Sequence, residues 1–194
     1  MDLFTFLTSP SNALEKGDAR RLASAWRVDH AEKGSRIATQ GAPDSMERII
    51  LNGRVTSQIS DPDGRVACVG FHTAPCVVAP NIARTRDGIS LVSLDVNADA
   101  LVAQMDSGAL TELMLASVPI REWANGILQQ ELARKADREW CLAALGGADR
   151  LAWFRQCYPR YEEFYSHSLI ASFLGITPVT LSRLRGTERD SVPD

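Results

Sequence analysis

The chain has 194 residues, 45% apolar and 23% charged, with a formal net charge of −3. That balance indicates a soluble globular protein of one or two domains, with no apolar run long enough to span a bilayer. The segment Met1-Asp2-Leu3-Phe4-Thr5-Phe6-Leu7 lacks a basic flank and a long apolar core, so no signal peptide is expected, and the expected location is the cytoplasm.

A short helix is predicted over residues 11–26. Gly34, Gly41 and Gly53 then bracket short apolar strands, with Pro43-Asp44 and Asn52-Gly53 as turns. Asp61-Pro62-Asp63-Gly64 is a further turn, followed by a strand over 66–71. Regular turns between short strands imply an antiparallel β-roll or jelly roll. Residues 98–118 read as one helix, and Pro119 restarts the next at its first turn. Ile120, Ala124, Ile127, Leu128 and Leu132 make an apolar stripe on that second helix, with Trp123 beside it. Gly126 costs helix stability but lets another backbone come close. Gly146-Gly147 is a natural hinge before the last helices.

The C-terminal stretch from Ser168 to Arg185 reads as helix, glycine turn, helix. Leu169, Ile170, Phe173 and Leu174 give the first helix an apolar face, and Ala171 is small enough for a close crossing. Gly175 sits where a positive φ is needed. Thr177 is a good N-cap, and Pro178 fits the first helical position. This is the pattern of a DNA-binding helix-turn-helix. At about 100° per residue, Leu181 and Leu184 point inward with Thr177, while Val179, Ser182, Arg183 and Gly186 point outward. Arg183 can bridge guanine O6 and N7, Ser182 can donate or accept, and Val179 can touch a thymine methyl. Thr180 and Arg185 lie on the flanks, where phosphate contacts are made. The expected DNA-contacting set is Thr177, Val179, Thr180, Ser182, Arg183 and Arg185. The electrostatic footprint is small: residues 160–194 hold four arginines against five carboxylates.

The spacing Gly34, Gly41, Ile49-Ile50, Gly53-x-Val55 resembles the cyclic-nucleotide-binding β-roll. Followed by this helix-turn-helix, it resembles the CRP/FNR family of bacterial transcription regulators over nearly the whole chain. The resemblance implies an α+β fold: an N-terminal double-stranded β-helix (jelly-roll or β-roll) effector domain over 1–118, a dimerisation helix over 119–145, and a helix-turn-helix domain with a shortened wing over 146–194. It implies a homodimer through Ile120, Trp123, Ala124, Ile127 and Leu128, with double-stranded DNA and RNA polymerase as partners and no membrane role.

The effector site departs from that pattern. Relatives that bind cyclic AMP carry a Gly-Glu pair, a short helix and an arginine; here Ala79-Pro80 falls where the pair belongs. Arg84 and Arg86 are the candidate anion contacts, each otherwise read as a solvated surface arginine. Cyclic AMP binding is therefore not expected, and the effector is unassigned. Cys68, His72 and Cys76 form the compact Cys/His cluster, read as a buried Cys with a surface His, because structural zinc prefers four ligands. The four cysteines, which include Cys141 and Cys157, are expected as reduced thiols, with no CxxC pair among them. No metal and no cofactor is assigned. An enzyme on a β-roll needs clustered histidines, and three scattered ones argue against catalysis. The competing class is a β-roll sensor or protein-interaction module that has lost DNA binding.

Overall fold

The computed structural model describes residues 1–189. The chain divides into two units, Met1–Ile59 with Gly70–Ala133, and Ser60–Val69 with the segment from Arg134 onward. The first opens with two helices, α1 (Leu3–Leu7) and α2 (Lys16–Ser24). The side chain of Asp2 caps α1 by accepting from Thr5 N at 2.9 Å. The helix expected over 11–26 is thus shorter, and α1 precedes it. Residues 9–14 are occupied by turn hydrogen bonds such as Ala13 N to Ser9 O at 2.7 Å.

Strands follow: β1 (Arg27–Ala31), β2 (Arg36–Ala38), β3 (Met46–Ser60), β4 (Val66–Thr73) and β5 (Cys76–Val77). A one-turn helix α3 (Asn81–Arg84) leads into a small hairpin of β6 (Thr85–Arg86) and β7 (Ile89–Ser90), then the long β8 (Ser93–Asp106). The main sheet is antiparallel, ordered β1-β8-β3-β4, with β2 on β8 and β5 on β3.

The strand β8 overturns part of the helix expected over 98–118. Ala98, Ala100, Leu101 and Ala103 are good helix formers, yet β8 is paired on both sides, with Val102 opposite Asp29 and Ile50. Tertiary pairing outweighs a propensity difference worth only tenths of a kcal/mol per residue. Helix begins at α4 (Ser107–Ala116), where Asp106 accepts from Gly108 N. Ser117 is extended at φ −143°, and α5 (Val118–Ala144) starts there with Pro119 in its first turn.

The core of the first unit lies between the sheet and the helices. Ile49 and Leu51 of β3 and Ala103 and Met105 of β8 share one face, as the period of two requires. They pack with Leu3, Phe6 and Leu7 of α1, Ala19 and Leu22 of α2, and Ile120 of α5. Ile50 and Val102, of opposite parity, are also buried, which explains why β3 reads as a continuous apolar run rather than an alternation.

The second unit holds α6 (Gly147–Cys157), α7 (Tyr161–Phe164), α8 (His167–Phe173) and α9 (Pro178–Arg189), together with the tip between β3 and β4. That tip is hydrogen-bonded to its helices: Cys68 N donates to Ser172 Oγ at 3.1 Å. Arg138 lies over the Phe173 ring at 4.6 Å and donates to Phe173 O at 3.0 Å.

Gly53 marks the bulge in β3. Its φ is +89°, and a Cβ there would fall 2.3 Å from Asp99 O and 2.6 Å from Ala100 Cα. Gly41 also has positive φ, at +81°, but a Cβ there would meet nothing within 4 Å. Gly41→Ala should therefore cost only the backbone term, about 1 kcal/mol. Gly53→Ala adds a backbone clash and should cost about 3 kcal/mol or more. Thermal unfolding of the two variants checks this ordering; equal losses would contradict it.

Candidate nucleic-acid interface and anion site

Helix α8 begins with Ser166, whose Oγ accepts from Leu169 N. It ends through two reverse bonds, Ile176 N to Ala171 O at 3.0 Å and Gly175 N to Ser172 O at 3.2 Å. These are the paired bonds of a Schellman closure, and Gly175 supplies the left-handed residue at φ +65°. Thr177 then caps α9, its Oγ1 accepting from Thr180 N at 3.1 Å. Thr177 is exposed rather than inward, because capping turns its hydroxyl back onto the first turn.

Helix α9 packs on α8 and α6. Leu181 is fully buried and Leu184 half-buried. Val179 is 60% exposed, and Ser182, Arg183 and Gly186 are exposed beside it. Thr180 is half-buried and bonded to Thr177. One outward face of α9 thus carries an apolar methyl pair, a hydroxyl and a guanidinium.

Arg185 occupies a different environment from that expected of a phosphate contact. Its Nε donates to Glu162 Oε1 at 2.7 Å, and its side chain is only 19% exposed. The other Glu162 oxygen accepts from Arg155 Nε at 2.6 Å. Burial works against the charged form of Glu162, but the hydrogen bonds from Arg155 and Arg185 prevail and hold its carboxyl below the usual range. Glu162 therefore ties α6, α7 and α9 together.

The segment expected to face an effector is closed by its own side chains. Arg84 is 2% exposed, not solvated. Its Nη1 donates to Asp44 Oδ2, its Nη2 to Met46 O, and its Nε to Ala79 O at 3.0 Å. Asp44 also accepts two bonds from Arg48 Nη1 at 3.0 Å and one from Met46 N at 3.0 Å. Desolvation pushes the Asp44 carboxyl up, but Arg48, the Met46 amide and Arg84 bring it below its ordinary value. Arg48 continues the network to Ile37 O and to Gln104 Oε1. Both oxygens of Glu47 accept from Asn81 N, the first amide of α3, at 3.0 and 3.1 Å. Burial pushes the Glu47 carboxyl up despite that bond. Arg86, the other candidate, is exposed on β6. The two arginines therefore do not converge on one anion. Asp44 and Glu47, the carboxylates that complete the cluster, carry no local sequence motif.

The expected dimer residues divide as well. Ile120 is fully buried in its own unit's core, so it is not available to a partner. Trp123 is half-buried and donates from Nε1 to Asn12 Oδ1 at 3.0 Å. Ala124, Ile127 and Leu128 are half-buried. Leu132 is 55% exposed, and Trp140, eight residues on along α5, is 56% exposed.

His72 is buried rather than at the surface, with Nε2 2.8 Å from Ser57 Oγ. His72 and Cys76 belong to the first unit, whereas Cys68 belongs to the second. No group of three His, Cys, Asp or Glu among the described residues is placed to hold a metal ion. No helix among them is long and apolar enough to cross a membrane.

No family model and no curated protein matches the chain. Solved structures do match in fold. FixK2 from Bradyrhizobium japonicum is 20% identical, with a TM-score of 0.75 over 85% of each chain. CLP from Xanthomonas campestris, described as a c-di-GMP responsive global regulator, is 14% identical, with a TM-score of 0.71 over 91% of this chain and 92% of its own. A CooA variant from Carboxydothermus hydrogenoformans is 14% identical, with a TM-score of 0.75 over 98% of this chain and 85% of its own. The antiparallel β-roll, the long α5 and the helix-turn-helix thus give this chain the fold of the CRP/FNR regulators.

Proposed function

We propose that this chain is a homodimeric, DNA-binding transcriptional regulator whose former anion site is filled by its own carboxylates, so that it does not answer to cyclic AMP. The observation that carries the reading is α9: Leu181 is buried while Val179, Ser182 and Arg183 stand exposed on one face. An exposed helical face of this chemistry fits the major groove, where Arg183 reads guanine and Val179 meets a thymine methyl. The role is non-enzymatic and cytoplasmic on this reading, with RNA polymerase as the further partner. The parts are an effector β-roll over 1–118, a dimer helix over 119–145 and a DNA-binding domain over 146–194.

The anion site supports the second half of the proposal. A cyclic phosphate needs a cation with spare donors and a helix amide. Here Asp44 already accepts from Arg84, and Glu47 already accepts from Asn81 N. A phosphate entering that cluster would meet two carboxylates and displace buried ion pairs, at a cost of several kcal/mol. Calorimetric titration with cyclic AMP should show no saturable binding.

Dimerisation is assigned to the strip of α5 formed by Ala124, Leu128 and Leu132, and not to Ile120. Leu132→Asp should give monomers by light scattering, because a charge buried at an apolar contact is left unpaired. A parent chain already monomeric at micromolar concentration would remove the dimer from the proposal.

Sites selected from random DNA test the remainder. Arg183→Ala should lose about 1–3 kcal/mol per half-site and relax preference at one base. If no DNA is retained even at low salt, the module is a sensor that kept the fold and lost DNA binding. Arg185→Ala should change the salt slope by less than about half a unit, because its guanidinium is engaged by Glu162 and a full phosphate contact contributes about 0.9. Its loss should appear in stability instead. A carboxylate with a depressed folded pKa stabilises above its unfolded value, about 4.3, and loses that contribution as pH falls through the folded value. Glu162→Gln should therefore lower the melting temperature at pH 7, and the gap to the parent should narrow steadily below about pH 4.5.

A further inference from the structure

Few contacts hold the helix α9 in its seat. Among its described side chains Leu181 is the fully buried one, and Leu184 is half-buried. At about 100° per residue, Leu184 lies about 60° to one side of Leu181 and Arg185 about 40° to the other. Arg183 projects about 160° from Leu181 and is exposed. Apolar contact is non-directional, so the two leucines seat the helix without fixing its rotation about its own axis. The Thr177 cap, accepting from Thr180 N at 3.1 Å, fixes where the helix starts and acts only within its first turn.

Arg185 supplies a directional hold on the flank opposite Leu184. Its Nε donates to Glu162 Oε1 at 2.7 Å, and the two side chains are only 19% and 24% exposed. A charge-assisted bond of this kind tolerates little displacement. Glu162 is itself fixed in place. Its second oxygen accepts from Arg155 Nε of α6 at 2.6 Å. Its helix α7 lies between two ring pairs, Tyr158–Tyr161 with centroids 5.3 Å apart and Tyr161–Tyr165 with centroids 5.4 Å apart. The neighbouring Glu163 differs. It pairs with Arg160, three residues back, at 2.9 Å on the surface, with side chains 55% and 70% exposed.

The roll of α9 decides what Arg183 can reach. A guanidinium about 6 Å from a helix axis moves about 2 Å when the helix rolls by about 20°. Productive contact geometry is lost beyond about 0.5 Å. We propose that Glu162 is a positioning residue for sequence recognition: by holding Arg185 it sets the roll of α9 and keeps the Arg183 guanidinium on its base edge. Glu162 has this role on the DNA-binding reading of α9, and Arg185 then governs specificity without touching DNA.

Equilibrium binding of the full chain to a selected site and to random DNA gives a discrimination ratio for each variant. In Glu162→Ala that ratio should fall about tenfold per half-site, within the range of one lost bidentate base contact. Binding to random DNA should hold or tighten, because a carboxylate is gone and Arg185 is released, and the salt slope should steepen by up to about 0.9. Partial unfolding would instead weaken both DNAs alike and leave the ratio unchanged. Glu163→Ala removes the same charge one residue away and should keep the parent's ratio. In an Arg183→Ala background, Glu162→Ala should cost no further discrimination, since it acts through Arg183. Arg185→Leu cuts the same contact from the other end and should lower the ratio too, which covers a Glu162→Ala chain that does not fold. A parent that discriminates while Glu162→Ala or Arg185→Leu discriminates equally well overturns the proposal. So does an equal loss in Glu163→Ala, or a full further loss in the Arg183→Ala background. A parent that retains no DNA, or does not discriminate, removes the recognition reading and this role with it, so the parent alone tells the two failures apart.

Discussion

One buried carboxylate, Asp44, organises the β-roll end of this molecule. It is 7% exposed and accepts from two guanidiniums, Arg48 and Arg84, that arrive from opposite directions along the chain. Neither arginine would be tolerable so deep without it, since an unpaired buried charge costs several kcal/mol. Because Arg84 is the last residue of α3, Asp44 also fixes where that helix ends. Asn81 at the other end donates its amide to Glu47 and its side chain to Asp44 O. A four-residue helix with little stability of its own is thus held at both ends by side chains of the segment 44–48. Buried ion pairs are poor sources of net stability but good sources of specificity, and specificity is what a short helix beside a turn requires.

The second unit solves a different problem with the same chemistry. Its arginines are mostly structural. Arg150 donates to the carbonyls of Leu142, Leu145 and Leu174, at the ends of α5 and α8. Arg138 does the same for Phe173 and stacks on its ring. Arg155 and Arg185 converge on Glu162. A basic residue count in this segment therefore overstates what is available to a phosphate backbone. Arg183 stands exposed on the face opposite Leu181. On the proposed reading, affinity for DNA rests on a small number of positioned contacts and on the spacing of two copies more than on a broad positive field.

Legibility in the sequence followed the distance between interacting residues. The helix-turn-helix was legible because its determinants are neighbours: Gly175, Thr177 and Pro178 each act within about one turn. The strand ending at Asp106 was not, because Ala98 to Ala103 favour helix locally and only pairing with β1 and β3 overrides them. The anion cluster was least legible. Arg84 and Asp44 are 40 residues apart, and Asp44 looked like an ordinary turn residue after Pro43. An arginine in a loop reads as solvated unless its partner is known. The same holds for His72 on β4, whose partner Ser57 lies 15 residues away on β3.

The filled anion site constrains where any input to this fold can act. In a site open to a phosphate, ligand binding supplies the charge that positions the arginine and the helix amide. On the proposed reading Asp44 and Glu47 supply that charge from within the chain, by accepting from Arg84 and from Asn81 N. A ligand shifts an equilibrium only through differential affinity for two states. On the proposed reading an input to this fold therefore acts elsewhere than at the Asp44–Arg84 cluster.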